Sequence, residues 1–325
     1  MSFSPKRSAF FVSVAALALA AAPLGAASAA TKVVISQAFQ SVLYLPFYIA
    51  MDKGFFAKQG LEIDKETAGS PPAALSAVIS GSADFSIHGP EWTAIAASKG
   101  AKVDIIAAIV NGAAVWIATT PDFPFKDIQD LKGQKIVTGM MPTTSTSLFL
   151  NLMKQKGMDG KTDVDQIPVP IGTEPGPFLA GQAKVAVMYE PGLDQVVAKG
   201  MKVAFGFPKA FGAYAFSSLT ARADADPVKA QGVVNGLQEA LQYMKADEAG
   251  TIAVAQKQFP KLDPSVVAAA VKRMLAENVY PTDVLTTPDA LTTAMNTQIG
   301  LGNLKSQPVY ADFVVQTYAK KAIHP

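Results

Sequence analysis

Short runs of β-branched residues alternate with helical stretches over the first two thirds of the sequence. Residues 32–36 predict a strand, residues 41–53 a helix and residues 61–66 a second strand. The same alternation restarts at Trp116 and continues to about residue 205. Strand–helix–strand order at this spacing is typical of parallel βαβ units, so the sequence predicts an α/β fold.

Beyond residue 220 the chain is predicted to be helical, with helices at 227–246, 248–258, 264–277, 288–301 and 309–321. Two βαβ units followed by a helical region fit a protein of two lobes between which the chain crosses twice. We predict that residues 30–115 and 215–325 form lobe one and that residues 116–214 form lobe two. Crossovers near residues 115–120 and 214–219 would act as hinges. The cleft between two such sheets is a common place for a small molecule to bind.

Residues 1–29 have the pattern of a cleaved secretory signal peptide. Lys6 and Arg7 precede an apolar stretch at residues 9–22, and Ala-Ser-Ala at residues 27–29 offers a cleavage site. The apolar stretch, about 14 residues long, is shorter than the roughly 20 needed to span a bilayer. The chain contains no cysteine, which excludes a lipid anchor on the mature N-terminus. We therefore expect a protein of the periplasm, free in solution.

The composition excludes several classes of function. Without cysteine there is no thiolate zinc site, iron–sulfur cluster or cysteine nucleophile, and His88 and His324 are the only histidines. No G-x-S-x-G, H-E-x-x-H or Walker motif occurs, so we expect no catalytic residue, no metal and no cofactor. Two of the 28 basic residues belong to the predicted leader, and the remaining 26 equal the 26 acidic residues. This balance gives no electrostatic reason to expect binding to nucleic acid.

Four segments resemble one known family: residues 43–56 (LYLPFYIAMDKGFF), 60–63 (GLEI), 81–87 (GSADFSI) and 130–136 (DLKGQKI). They are similar to the nitrate/sulfonate/taurine-type periplasmic binding proteins, a family that also includes binders of thiamine-pyrimidine precursors. The resemblance extends over the whole mature chain. It implies a periplasmic binding protein of type II, with two lobes and a double crossover hinge. It also implies that a monomer delivers a small-molecule solute to the permease subunits of an ABC importer.

Ligand-binding residues are expected where a strand ends and a helix begins, because helix N-termini present unpaired N–H groups. Such junctions supply these candidates: Phe39, Gln40, Ser41, Tyr44, Gly69, Ser70, His88 and Glu91 in lobe one, and Thr144, Ser145, Glu174, Tyr189 and Glu190 in lobe two. For Ser70, Thr144 and Ser145 a plain helix-capping role is an equal alternative. A structural role for His88 is an equal alternative as well.

The charges at these junctions favour a particular ligand chemistry. Three glutamates occur there, whereas Arg222 and Arg273 are the only arginines of the mature chain and neither lies in lobe two. Capture of an anion would therefore depend on backbone N–H groups and hydroxyls. We expect a neutral or cationic ligand with N–H donors, such as a pyrimidine or another nitrogen heterocycle, ahead of a sulfonate or nitrate. Stacking surfaces could come from Phe39, Tyr44, Trp92, Tyr189 and Phe216.

Three other functions share the predicted architecture. Thiamine-pyrimidine synthases resemble these binding proteins, but they use a cysteine-rich segment, a histidine and pyridoxal phosphate. The effector domain of a LysR-type regulator has the same two-lobed architecture but would follow an N-terminal helix-turn-helix. In this chain the predicted leader occupies the N-terminus. A periplasmic sensor partner, which reports its ligand to a receptor instead of a permease, is compatible with the sequence.

Overall fold

A computed structural model describes residues 1–4 and 30–324 of the chain. The predicted signal peptide, residues 1–29, therefore lies outside the described residues except for its first four. The described strands are β1 (Thr31–Gln37), β2 (Leu61–Thr67), β3 (Phe85–His88), β4 (Val103–Gly112), β5 (Trp116–Thr119), β6 (Lys135–Gly139), β7 (Asp165–Val169), β8 (Val185–Met188), β9 (Lys202–Gly206) and β10 (Ala213–Arg222).

Helices occupy most of the connections and the C-terminal third. They are α1 (Leu45–Asp52), α2 (Phe55–Lys58), α3 (Pro71–Ser80), α4 (Pro90–Ser98), α5 (Thr144–Gln155), α6 (Pro175–Leu179), α7 (Gly192–Val197), α8 (Phe207–Phe211), α9 (Pro227–Ala246), α10 (Glu248–Gln258), α11 (Pro264–Ala276), α12 (Pro288–Gly300) and α13 (Thr317–Ile323). Short 3-10 helices lie at Val42–Tyr44, Ile128–Leu131 and Tyr310–Asp312. No helix in these described stretches is both long enough and apolar enough to cross a bilayer.

The strands form two five-stranded sheets, ordered β2-β1-β3-β10-β4 and β7-β6-β8-β5-β9. In the first, β1 runs parallel to β2 and β3, and β10 runs antiparallel to β3 and β4. In the second, β6 runs parallel to β7 and β8, and β5 runs antiparallel to β8 and β9. The predicted α/β class with two lobes is confirmed. The sheet β2-β1-β3-β10-β4 and the helices packed on it are called the first lobe. The sheet β7-β6-β8-β5-β9 and its helices are called the second lobe.

The chain passes between the sheets twice. It leaves β4 of the first sheet and enters β5 of the second through Ala113, Ala114 and Val115, all of them buried. It returns from β9 through α8 and Gly212 into β10. Both crossovers lie a few residues before their predicted positions, because Trp116–Thr119 is a paired strand of the second sheet and residues 214–219 lie inside β10. The crossover segments are therefore residues 113–115 and 207–212.

Local sequence explains most element boundaries. Ser70 accepts a hydrogen bond from the Ala73 N–H at 3.3 Å, Pro71 fills the first turn of α3, and Gly81 ends the helix in a left-handed conformation with φ 79°. The residue pattern thus encodes both ends of α3.

Three elements differ from the sequence prediction. The short helices α2 and α8 were not predicted. The helix expected at 309–321 is instead a 3-10 helix and α13, with an extended segment between them. That segment pairs with β4: the Ile105 N–H donates to the Phe313 carbonyl at 2.8 Å, and the Val315 N–H donates to the Ile105 carbonyl at 2.9 Å. These hydrogen bonds hold residues 313–315 outside a helix.

Candidate ligand-binding site

The strand-to-helix junctions of the two lobes contact each other across a closed cleft. Thr144, the first residue of α5, donates a hydrogen bond from Oγ1 to Glu91 Oε1 at 2.5 Å. Ser41 Oγ donates to the backbone carbonyl of Glu190 at 2.7 Å. All four residues are buried. The structure therefore brings together junctions that lie far apart in the sequence.

Two glutamates face this cleft with unpartnered oxygens. Glu91 Oε2 and both carboxylate oxygens of Glu174 are buried and have no hydrogen-bond partner. Burial raises the pKa of each carboxyl to about 7. The Thr144 hydroxyl partly offsets this rise at Glu91, and the nearby backbone N–H groups of Glu174 and Gly172 partly offset it at Glu174. No Lys or Arg of the described residues forms an ion pair with either side chain. The site therefore holds two acidic groups, one from each lobe, whose charge the protein does not balance directly.

Gly89 and Gly139 leave room for these carboxylates. A Cβ on Gly89 would lie 2.2 Å from Glu91 Oε2, so the Glu91 carboxylate occupies the space that a side chain at position 89 would need. A Cβ on Gly139 would lie 3.3 Å from Glu174 Oε1 and 3.3 Å from Ser145 Oγ. Glu174 therefore sits beside the first turn of α5, the same turn whose Thr144 holds Glu91.

His88 is a neutral acceptor at the end of β3. Its Nδ1 lies 2.9 Å from the Gly89 carbonyl oxygen, which can only accept, so Nδ1 carries the proton and Nε2 is left as an acceptor. Burial lowers the pKa of His88 to about 4, and the ring is therefore uncharged at neutral pH. Nε2 is buried and has no partner.

Aromatic rings form a continuous row along the cleft. The Phe39 ring lies 5.6 Å from that of Tyr44 and 5.2 Å from that of Tyr189, centroid to centroid. Phe216 lies 6.0 Å from Tyr189 and 6.0 Å from Tyr214. The Tyr189 hydroxyl accepts a hydrogen bond from the Ser145 N–H at 2.8 Å, which fixes this ring against α5. Four of the five predicted stacking residues thus meet, and the fifth, Trp92, packs elsewhere with the small cluster around Leu75, Val78 and Val103.

Glu190 has a different environment from the other two glutamates. Arg273 of α11 donates from Nε to Glu190 Oε1 at 2.9 Å and from Nη2 to Asp194 Oδ1 at 2.6 Å. The second oxygen of Glu190 accepts the Asp194 N–H at 3.0 Å. Burial and the neighbouring Asp194 raise the pKa of Glu190, and Arg273 opposes that rise. Since α11 packs against α10 of the first lobe and also against α7 of the second, the ion pair lies where the two lobes meet. Both Glu190 oxygens already have protein partners.

Gln40 and Ser70, two further predicted residues, form their hydrogen bonds elsewhere in the first lobe. Gln40 bonds with Gln37, Lys65 and the Gln258 carbonyl, and Ser70 caps α3. Gly69 lies in the exposed turn before that cap, with φ 86°. The hydrogen bonds of Gln40 and Ser70 are not with Glu91 or Glu174. The N-cap of α5 is Thr143, so Thr144 and Ser145 lie one and two residues inside the helix.

Sequence reasoning missed two parts of the site. Tyr214 lies within β10, away from the junctions at which binding residues were expected, whereas Phe216 of the same strand was predicted as a stacking residue. Arg273 was noted only as one of two arginines in the mature chain, although that rarity was the available signal. Within residues 1–4 and 30–324, no group of three His, Asp or Glu side chains is arranged to hold a metal ion.

The sequence comparisons identify the family. The model of the NMT1/THI5-like family matches residues 43–250, which is more than half of the chain. The chain belongs to this family. YtlA of Bacillus subtilis, provisionally named a binding protein, is 24% identical over 266 residues, which cover 78% of this chain and 79% of YtlA.

Solved structures share the fold over nearly the whole chain. The alkanesulfonate-binding protein SsuA of Xanthomonas axonopodis, bound to MOPS, has a TM-score of 0.70 at 18% identity, and the match covers 88% of this chain and 99% of SsuA. The periplasmic nitrate-binding protein NrtA of Synechocystis PCC 6803 has a TM-score of 0.70 at 15% identity, covering 90% and 88%. The desulfurization enzyme DSZB has a TM-score of 0.65 at 11% identity, covering 90% and 99%. The fold is thus that of two-lobed solute-binding proteins, and at least one enzyme also uses it.

Proposed function

We propose that this chain is the substrate-binding component of an ABC importer and captures a small solute by closing its two lobes. The observation that carries this proposal is the pair of contacts Thr144–Glu91 and Ser41–Glu190, which join the lobes around buried polar groups. A ligand that touches both lobes favours the closed state, and only such differential binding can shift the equilibrium. Residues 113–115 and 207–212 would be the hinges.

The proposed solute is a small nitrogen-bearing molecule, with a heterocycle such as a pyrimidine favoured and a sulfonate or nitrate next. The unpartnered atoms of Glu91, Glu174 and His88 support this order, because all of them accept hydrogen bonds and a bare anion would offer them none. The sulfonate- and nitrate-binding neighbours share the fold and keep those anions as the second candidates.

In the cell, the protein would act as two moving lobes in the periplasm. Residues 30–115 and 215–325 would move as lobe one, together with residues 213 and 214 at the start of β10, and the rest of 116–214 would move as lobe two. After cleavage of residues 1–29 the monomer would work in the periplasm, without a lipid anchor, and dock on the permease subunits when closed. A periplasmic sensor partner would use the same closure.

Isothermal titration calorimetry with an aminopyrimidine, taurine and nitrate tests the solute, and small-angle scattering of the same samples tests closure. We expect the aminopyrimidine to bind and to reduce the radius of gyration. If taurine binds and the aminopyrimidine does not, a sulfonate replaces the nitrogen heterocycle as the favoured solute. A particle of fixed shape that binds none of the compounds in a wide metabolite screen would contradict the function itself. Mass spectrometry of the recovered ligand separates capture from catalysis, since the DSZB-like alternative would alter it.

A further inference from the structure

The unpartnered groups of the cleft share one chemical property: they attract positive charge or N–H donors. Glu174 offers two free oxygens, Glu91 offers one because Thr144 holds the other, and His88 offers Nε2. These are four acceptor positions, and both glutamates carry a charge when ionised. Of the three buried glutamates at the cleft, only Glu190 has a cationic partner, Arg273.

No Lys or Arg of the described residues forms an ion pair with Glu91 or Glu174. Arg273 is bound to Glu190 and Asp194, and Arg222 pairs with the exposed Asp224. Lys65 hydrogen-bonds with Gln40 and Gln258. A buried carboxylate without a counter-charge is expensive, so a group that enters the closed cleft and brings that charge gains the most free energy.

The walls of the cleft favour a flat molecule. The rings of Phe39, Tyr189, Phe216 and Tyr214 run in sequence with centroids 5.2 to 6.0 Å apart. Cations bind favourably over aromatic faces, and planar ones can stack there while their N–H groups point outward in the plane. A tetrahedral ammonium cannot present two parallel N–H groups to one carboxylate, whereas a planar amidinium or guanidinium can.

We propose that the ligand is a planar organic cation of the amidinium or guanidinium type, whose N–H groups bridge Glu91 of the first lobe and Glu174 of the second. The proposal rests on the solute-binding function and specifies the class of its ligand. The two oxygens of Glu174 accept a parallel pair of N–H groups, and Glu91 Oε2 and His88 Nε2 accept the two remaining N–H groups. Since an amidinium carries four N–H bonds, it can satisfy all four acceptor positions.

The test uses pairs of compounds that have the same shape and differ in charge. Benzamidine and acetamidine are compared with benzamide and acetamide by titration calorimetry of the mature protein, with guanidinium, Ca²⁺ and Zn²⁺ as further probes. We expect at least one amidine to bind at least about 10-fold more tightly than its amide. Amides that bind as well as the amidines, no binding of any organic cation at millimolar concentration, or binding of the metal ions alone would each overturn the proposal.

Variants show where the cation is bound. Glu91→Gln and Glu174→Gln should each reduce the preference for amidine over amide at least about 10-fold, while both variants keep the wild-type circular dichroism spectrum. Glu62→Gln, an exposed glutamate of β2, is the matched control and should leave the preference unchanged. If taurine or a neutral pyrimidine closes the lobes and the amidines do not, this proposal fails and the solute-binding function stands. If neither these nor any wider set of solutes closes the lobes, the function fails.

Discussion

Thr144 of the second lobe donates a hydrogen bond to Glu91 of the first lobe, with 2.5 Å between its Oγ1 and Glu91 Oε1. Both residues are buried, and both lie in the first turn of a helix that follows a parallel strand. In the proposed closure, this bond would form as the two lobes meet. It would also orient the remaining oxygen of Glu91 toward the proposed ligand.

Replacing Thr144 by valine removes this bond and keeps the shape of the side chain. A hydrogen bond to a charged group contributes about 1.5–3 kcal/mol, so Thr144→Val should weaken ligand binding by roughly 10-fold or more. Calorimetry with the best-binding solute measures this. Thr93→Val is the control, because the Thr93 hydroxyl bonds with Thr220 inside the first lobe at 2.8 Å. Equal affinities in Thr144→Val and the wild type would show that the bond plays no part in closure.

The ion pair of Arg273 with Glu190 and Asp194 is a second contact between the lobes. Arg273→Met leaves two buried acidic groups without a counter-charge, which is strongly destabilising when a pair is truncated at one end. We expect the lobes to separate and ligand affinity to fall at least about 10-fold, since opening the cleft rehydrates both carboxylates.

Small-angle scattering of the ligand-free Arg273→Met variant should give a larger radius of gyration than that of the wild type. Arg222→Met removes the other arginine of the mature chain, whose pair with Asp224 is exposed, and should change neither shape nor affinity. If the Arg273→Met variant stays compact and keeps full affinity, the ion pair does not hold the two lobes together.

Much of this arrangement could be predicted from the sequence, because helix caps and β-branched runs are local signals. Ser70 and Gly81 mark the ends of α3, and the junction rule correctly singled out Glu91 and Thr144 as residues that follow strands. Their pairing joins positions 53 residues apart, and no local pattern encodes such a contact. The junction rule predicted Glu190 and Glu174 alike as ligand-binding residues. Only the fold reveals that Arg273 forms an ion pair with Glu190.

Stability of the ligand-free protein should fall as the pH rises through about 7. Burial raises the pKa of Glu91 and of Glu174 to about 7, above the ordinary value of 4.5, so the folded state retains protons that the unfolded chain has lost. The stabilising contribution is complete below pH 4.5 and disappears above about pH 7. Most of this loss falls between pH 4.5 and pH 7, and about 0.8 kcal/mol of it for each carboxyl falls between pH 6.5 and pH 8. His88 acts in the opposite direction, because burial lowers its pKa from 6.5 to about 4 and the unfolded chain therefore binds a proton near pH 6.5 that the folded protein does not.

Urea denaturation at a series of pH values measures this dependence. The double variant Glu91→Gln/Glu174→Gln should have a shallower slope over the same interval, because neither amide titrates. A wild-type slope equal to that of the double variant would mean that the two carboxyls are already ionised in the folded protein at pH 6.5.

Gly89 offers a test of the site that leaves its charges in place. Its φ of −64° is accessible to alanine, yet a Cβ there would lie 2.2 Å from Glu91 Oε2 and 2.6 Å from Glu91 Cδ. Gly89→Ala therefore has to displace the carboxylate from the position in which Thr144 holds it. We expect ligand affinity to fall at least about 10-fold, by loss of the charge-assisted bonds, with little change in circular dichroism. Gly176→Ala in α6 is the control, because a Cβ there meets no atom within 4 Å. Wild-type affinity in Gly89→Ala would mean that the observed position of the Glu91 carboxylate is not the one that binds the ligand.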